Sequence, residues 1–213
     1  MTNPQAIPPL GLPGILELPP QAHGVVVFTH GSGSGRLSPR NQRVAAALQA
    51  RGLGTLLFDM LTPEEAADRR KVFDIPLLAS RLEDAVRWLG EDPRVATLPL
   101  GFFGASTGAA AAFMAASRPH IGVRALVSRG GRPDLAASEL PLVDAPSLLI
   151  VGGADPEVLA LNRAAMASMK APVQLAVVPG AGHLFEEPGA LEEVTRLAGD
   201  WFVQHLPEPP QST

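Results

Sequence analysis

Residues 97–117 read TLPLGFFGASTGAAAAFMAAS, an apolar run that closes on a cluster of small residues and continues as an alanine-rich segment. The run Thr97–Ala105 has the unbroken character of a strand buried on both faces, and Ser106–Ser117 has the composition of a helix. Between them, Gly104-Ala105-Ser106-Thr107-Gly108 fits the pattern G-x-S-x-G. A chain that turns from strand into helix around one residue strains that residue and brings two backbones together, so only small neighbours fit. Gly104 and Gly108 supply the clearance, Ala109 to Ala112 let the helix pack closely, and the Ser106 hydroxyl is left above the strand ends. The plainer reading is a strand-helix turn with Ser106 as a helix N-cap.

The same alternation extends in both directions. Continuous apolar runs occur at Gly24–Gly31, Gly54–Met60, Ala125–Gly130, Ser147–Gly153 and Val173–Val178. Segments with helical spacing lie between them: Pro39–Ala50, Ile75–Leu89, Pro156–Met169 and Gly189–His205. Strands and helices in alternation predict an α/β fold with a mostly parallel central sheet and right-handed crossovers, in one domain over residues 1–213. Ile15–Leu18 is a candidate edge strand, and residues 1–13 and 207–213 read as loose tails. No internal repeat is present.

In such a sheet, ligands bind outside the carboxyl ends of the strands. The loops that follow those ends are the unusual ones: THGSGSG, GASTG, SRGGRPD, GGADP and PGAGH. A serine hydroxyl needs a base within hydrogen-bond reach, and the base needs an orienting acid. His183, in the glycine-rich PGAGH loop, is the candidate base. His120 and His205 read as surface residues at helix ends, His23 precedes a strand, and His30 reads as a prop for its own loop. Asp155 in GGADP is the candidate acid, which gives the chain order Ser106, Asp155, His183. Asp155 before Pro156 is also a standard helix N-cap, and Asp59, Asp134 and Asp144 are its competitors.

Charge that develops on a carbonyl oxygen needs backbone donors, an oxyanion hole. The N–H of Thr107 is one expected donor and that of Ser32 the other, with Gly31 or Gly33 as alternates. The glycine-rich turn also invites a dinucleotide-binding reading, with Asp59 ending the next strand. That reading fails at the third glycine of G-x-G-x-x-G, whose place is taken by Arg36, and it leaves GASTG and the His183 loop unexplained.

Composition narrows the partners. A formal net charge of -4 and a pI near 5.7 offer no basic face to nucleic acid or anionic lipid. The absence of cysteine removes disulfides, thiolate chemistry and cysteine-based zinc sites. The N-terminal stretch has no basic region and is interrupted by prolines, and no apolar stretch has the length of a membrane span. The expectation is a cytoplasmic protein acting on a small molecule, without cofactor or metal.

Taken together, VVVFTHGSGSG, GFFGAST, LLIVGGAD and VPGAGHLFEEPG resemble the α/β-hydrolase superfamily, and within it the small dienelactone hydrolase-like group. The resemblance covers nearly the whole chain and implies a three-layer fold and a serine hydrolase or carboxylesterase. The group's namesakes carry cysteine as nucleophile where this chain has Ser106, which turns the expectation to general ester or lactone hydrolysis. Acyl transfer or perhydrolysis would use the same three residues, and a low-turnover ligand receptor could keep them. Where many relatives insert a helical cap, only about 15 residues separate two strands here, too few for a lid. The cleft should then be open and suited to short acyl chains, with a rim formed by Thr62–Phe73 and by the loop carrying Arg129 and Arg132. Either arginine is a candidate for binding a substrate carboxylate, together with Gly31 and Gly33. The alternative is structural ion pairs with nearby acids.

Overall fold

Apolar runs that pair along both edges must lie inside a sheet, and in the computed structural model, which describes residues 4–207, they do. The order is β1 (Gln5–Ile7), β2 (Leu12–Glu17), β3 (Gly24–Thr29), α1 (Pro39–Gln49), β4 (Leu53–Phe58), the short α2 (Pro63–Ala66) and α3 (Arg69–Val72), and α4 (Ile75–Glu91). It continues with β5 (Leu100–Ala105), α5 (Thr107–Ala116), β6 (Val123–Arg129), β7 (Ser147–Gly152), α6 (Pro156–Met166), β8 (Val173–Val178) and α7 (Ala190–His205). The strands form one sheet in the order β1-β2-β4-β3-β5-β6-β7-β8, with β3 to β8 parallel to one another and β2 antiparallel to both its neighbours, β1 and β4.

Period-two alternation assigns the two faces of the sheet. Val26, Phe28, Phe103, Val127 and Ile150 meet α1 and α7 through Val44, Leu48, Val194 and Phe202. Val25, Val27, Phe102, Leu126 and Leu149 meet α4 and α5 through Leu78, Leu82 and the alanines of α5. The result is the three-layer α/β fold expected from the sequence. The chain leaves β3 toward β4 on one side and returns to β5 on the other. The strand order therefore reverses between β3 and β5, the place where an open sheet forms its ligand crevice.

The N-terminal expectation needs correction. From Gln5 to Leu12 the chain is not a loose tail: β1 pairs with β2, anchored by Ile7 and Leu12, which are 1% and 4% exposed. Ile15 to Glu17 of the expected edge strand belong to β2, which is flanked by β1 and β4 and is not the edge. Prolines hid this, yet Pro13 still joins the sheet as an acceptor, its carbonyl taking the Asp59 N–H at 3.1 Å. The rest of the expected tails, residues 1–3 and 208–213, lies outside the described residues. Between β6 and β7, two short turns at Pro133–Ala136 and Leu140–Leu142 pack down through Ala136 and Leu140, so this segment adds to the core and not to a lid.

Candidate active site

Ser106 sits between β5 and α5 with φ 50° and ψ -124°, a left-handed conformation that a non-glycine residue holds only when its surroundings enforce it. Three backbone bonds do so here. The Ser106 N–H donates to the Arg129 carbonyl (3.2 Å), while the Ser106 carbonyl accepts from Ala109 (3.1 Å) and Arg132 (3.1 Å). A methyl group on Gly104 would stand 2.5 Å from Ala109 Cα, and one on Gly108 would collide with the carbonyls of Thr29 and His30. Ser106 makes no side-chain cap to α5, so the N-cap alternative does not describe its hydroxyl.

The hydroxyl faces His183 instead. His183 Nε2 lies 3.4 Å from Ser106 Oγ, and His183 Nδ1 lies 2.8 Å from Asp155 Oδ2. The loop that presents the ring is pinned below by the buried Phe185, itself at φ 55°, and by Glu187, which accepts from the Gly182 N–H at 2.9 Å. Asp155 also caps α6, its Oδ1 accepting from Val158 N–H at 3.4 Å. The two readings of this aspartate are therefore compatible: one carboxylate oxygen serves the helix and the other the histidine. The competitors are placed elsewhere. Asp59 is paired to Arg36, Asp134 to Arg132, and Asp144 is exposed.

The glycine-rich loop reaches the same point from β3. Gly31 lies so close that a methyl there would stand 2.9 Å from Ser106 Cβ. Thr29 Oγ1 donates to the Gly108 carbonyl (2.8 Å), and the Ser32 N–H donates to Thr107 Oγ1 (3.2 Å). The Ser32 donor thus stands beside Thr107, as an oxyanion hole requires, but its proton is held by the Thr107 hydroxyl. That bond joins residues 75 positions apart, and no local signal announces it. Thr107 N–H opens α5 and has no partner within the helix. Asp59 holds the far end of the loop by accepting from the Arg36 N–H at 2.7 Å.

His30 props the near end: its Nδ1 donates to the Gly31 carbonyl (3.0 Å) and its Nε2 accepts from the Met60 N–H (3.1 Å). This arrangement needs a neutral ring, and burial lowers its pKa from 6.5, against smaller opposing effects of Gly31 and Asp59. A lowered value in the fold means that the unfolded chain takes up the proton first. The contribution of His30 to stability is then fully present above 6.5 and is lost as pH falls through the lowered value. Melting temperature followed between about pH 7 and 5 should fall less steeply in His30→Gln than in the wild type. Equal slopes would assign the acid sensitivity to other groups.

A cleft of about 790 Å³ opens beside Thr107, with His30–Arg40 on one wall and Leu61, Ala66, Val72 and Leu78 on the other. The α2–α3 segment does form one side of this cleft, as expected of Thr62–Phe73. The two arginines of the SRGGRPD loop differ from expectation and from each other. Arg132 forms a two-bond ion pair with Asp134 at 2.8 and 2.7 Å. Arg129 is not on the rim: it is the last residue of β6, buried, with its guanidinium carbon 6.0 Å from the Phe103 ring and no carboxylate partner among the described residues. Asn162, which sequence reasoning did not single out, supports the loop from α6 by donating to the Gly131 carbonyl at 2.9 Å. Among the described residues, no group of three or more histidines and acids is placed to hold a metal ion, and no helix is long and apolar enough to cross a membrane.

Comparison with known proteins gives the family of the chain. Two curated Mycobacterium tuberculosis sequences, named provisionally as phosphoribosyl transferases, are 59% identical over 198 residues. That match takes in 93% of this chain and 45% of theirs, so the chain spans less than half of their length. Est1E from Butyrivibrio proteoclasticus shares the fold at a TM-score of 0.79 and 16% identity, over 92% of this chain and 95% of that one. A dienelactone hydrolase from Anabaena variabilis superposes at a TM-score of 0.91 with 50% identity, over 97% of this chain and 98% of that one. The dienelactone hydrolase family model matches residues 12–201, and the chain belongs to that family of α/β hydrolases.

Proposed function

We propose that this hydrolase cleaves small carboxylic esters through an acyl-enzyme on Ser106. The observation that carries the reading is the continuous relay from Ser106 Oγ to His183 Nε2 and from His183 Nδ1 to Asp155 Oδ2. In the proposed reaction the Ser106 oxygen attacks the ester carbonyl carbon while His183 Nε2 takes the hydroxyl proton. Asp155 fixes the ring with its proton on Nδ1 and stabilises the imidazolium that forms. Charge on the former carbonyl oxygen is met by the Thr107 N–H and by the Ser32 N–H, released from the Thr107 hydroxyl as substrate enters. His183 then protonates the departing alcohol, and a water activated by the same ring releases the acid and restores Ser106.

A short acyl group suits the open cleft, because a covering lid is what would let each added methylene contribute its ~0.8 kcal/mol of burial. The phosphoribosyl transfer in the name of the Mycobacterium tuberculosis relatives describes proteins of more than twice the matched length, and the residues around Ser106 support hydrolysis. Intact mass after treatment with a fluorophosphonate tests the class. One phosphonyl group per chain is expected, absent in Ser106→Ala. An unmodified wild-type chain at saturating reagent would remove the serine reading.

A further inference from the structure

The helix that follows the nucleophile reads TGAAAAFMAA from Thr107 to Ala116, and Thr107 is the only one of its side chains that can donate a hydrogen bond. The backbone N–H proposed for the oxyanion hole would be supplied equally by any residue but proline. The hydroxyl is not needed for that duty. Thr107 is 3% exposed and lines the cleft beside the glycine-rich loop. Its Oγ1 accepts from the Ser32 N–H at 3.2 Å, and this is the one hydrogen bond the hydroxyl makes with the described residues. The hydroxyl's own proton has no protein acceptor there, a state that is unfavourable in a buried residue and that an incoming acceptor would relieve.

Its position decides which acceptor. The oxyanion of the proposed reaction has to lie within hydrogen-bond reach of two nitrogens, those of Ser32 and Thr107. Thr107 Oγ1 is 3.2 Å from the first, and covalent geometry keeps it within about 4 Å of the second in every rotamer. The hydroxyl thus stands beside both donors, and its proton is re-aimed by rotation about the Cβ–Oγ1 bond alone. The surrounding heavy atoms are held in place. Ser106 is locked by its three backbone bonds, a methyl on Gly31 would stand 2.9 Å from Ser106 Cβ, and Thr29 Oγ1 ties the end of β3 to the Gly108 carbonyl.

We infer that the Thr107 hydroxyl is a third donor to the oxyanion, acting beside the N–H groups of Thr107 and Ser32. As Ser106 Oγ bonds to the carbonyl carbon, the C=O π pair moves onto the carbonyl oxygen. The Ser32 N–H turns from Thr107 Oγ1 to that oxygen, and the hydroxyl turns its proton to the same atom without transferring it. When the tetrahedral intermediate collapses, the pair returns to the carbonyl and the hydroxyl accepts from Ser32 again. Between turnovers the Ser32–Thr107 bond holds the loop against α5. The role rests on the ester-hydrolase reading of Ser106.

The test uses Thr107→Val, which keeps the branched shape and loses both the acceptor and the donor, and Thr107→Ser, which keeps both. With 4-nitrophenyl butyrate, kcat in Thr107→Val should fall about a hundredfold with KM within about threefold of the wild type, the signature of a contact made only in the transition state. Thr107→Ser should stay within about tenfold of the wild-type kcat, since its hydroxyl has the same donor and acceptor capacity. A hydroxyl that only tied down the loop would act on every ligand of the cleft, so two inhibitors separate the roles. Butyl trifluoromethyl ketone adds to Ser106 and forms an oxyanion, whereas the corresponding secondary alcohol enters without forming one. Thr107→Val should weaken the ketone about a hundredfold and the alcohol less than about threefold. Thr107→Ala, which only extends the alanine run of α5, repeats the comparison if the valine variant does not fold. Equal weakening of both inhibitors, or a kcat unchanged or raised in Thr107→Val, overturns the inference and leaves the hydrolase reading intact. A wild type that neither hydrolyses the ester nor takes up fluorophosphonate removes both.

Discussion

Alanine at position 106 should lower kcat for 4-nitrophenyl butyrate by on the order of a million-fold, the loss seen when the nucleophile of a serine relay is removed. The size follows from what the substitution takes away. Without Oγ there is no acyl-enzyme, and His183 and Asp155 have nothing to activate. Backbone donors such as Thr107 N–H remain and should preserve only the residual acceleration that binding and charge stabilisation give alone. The fold should be little affected, because alanine keeps the Cβ and the left-handed backbone is held by the bonds to Arg129, Ala109 and Arg132 rather than by the hydroxyl. Purified variant and wild type, matched in melting temperature, give the comparison. Residual activity of a few per cent, once contamination is excluded by active-site titration, would mean that another group attacks the ester.

Much of the fold could be read before any coordinates, for a reason visible in particular strands. Val25 to Thr29, Leu148 to Val151 and Phe102 to Ala105 are buried on both faces, so each appears as an unbroken apolar run with little else to resemble. At the N-terminus only Ile15–Leu18 could be read as a strand; β1 and the start of β2 escaped because they lie at the sheet margin, where only alternate positions such as Ile7, Leu12 and Leu16 are covered and prolines are tolerated. Their signal is half as strong and is interrupted.

The candidate site divides in the same way. Ser106, Asp155 and His183 each follow a strand and carry a local signature, so topology alone brings them to one edge of the sheet. Thr107 carries no mark as an acceptor, because its bond to Ser32 exists only once two loops from β3 and β5 meet. Arg129 misleads for a different reason: SRGGRPD reads as a charged surface loop, yet its first two residues complete β6 and face inward. A charge at the end of a buried strand is hidden from composition, and burial, not sequence, makes it unusual.

Asparagine at position 155 should separate the two duties of that carboxylate, lowering kcat by about ten-thousand-fold while leaving stability nearly unchanged. Asp155 offers one oxygen to the Val158 N–H and the other to His183 Nδ1. Asparagine has a single carbonyl oxygen, and the two demands compete for it. If that oxygen caps α6, as asparagine does well, the amide NH₂ is left facing His183 and can only donate. The ring must then carry its proton on Nε2, the nitrogen that should accept from Ser106 Oγ, and it no longer serves as base. Asp155→Ala removes both duties and should cost about 1 kcal/mol of stability for the cap as well as the activity. The pair is read by kcat with 4-nitrophenyl butyrate, by the rate of fluorophosphonate labelling and by melting temperature. Labelling should slow in parallel with turnover in both variants, with the melting temperature lowered in the alanine variant alone. An asparagine variant within tenfold of the wild-type kcat would show that His183 is oriented by some other group, and Asp155 would be left as a helix cap.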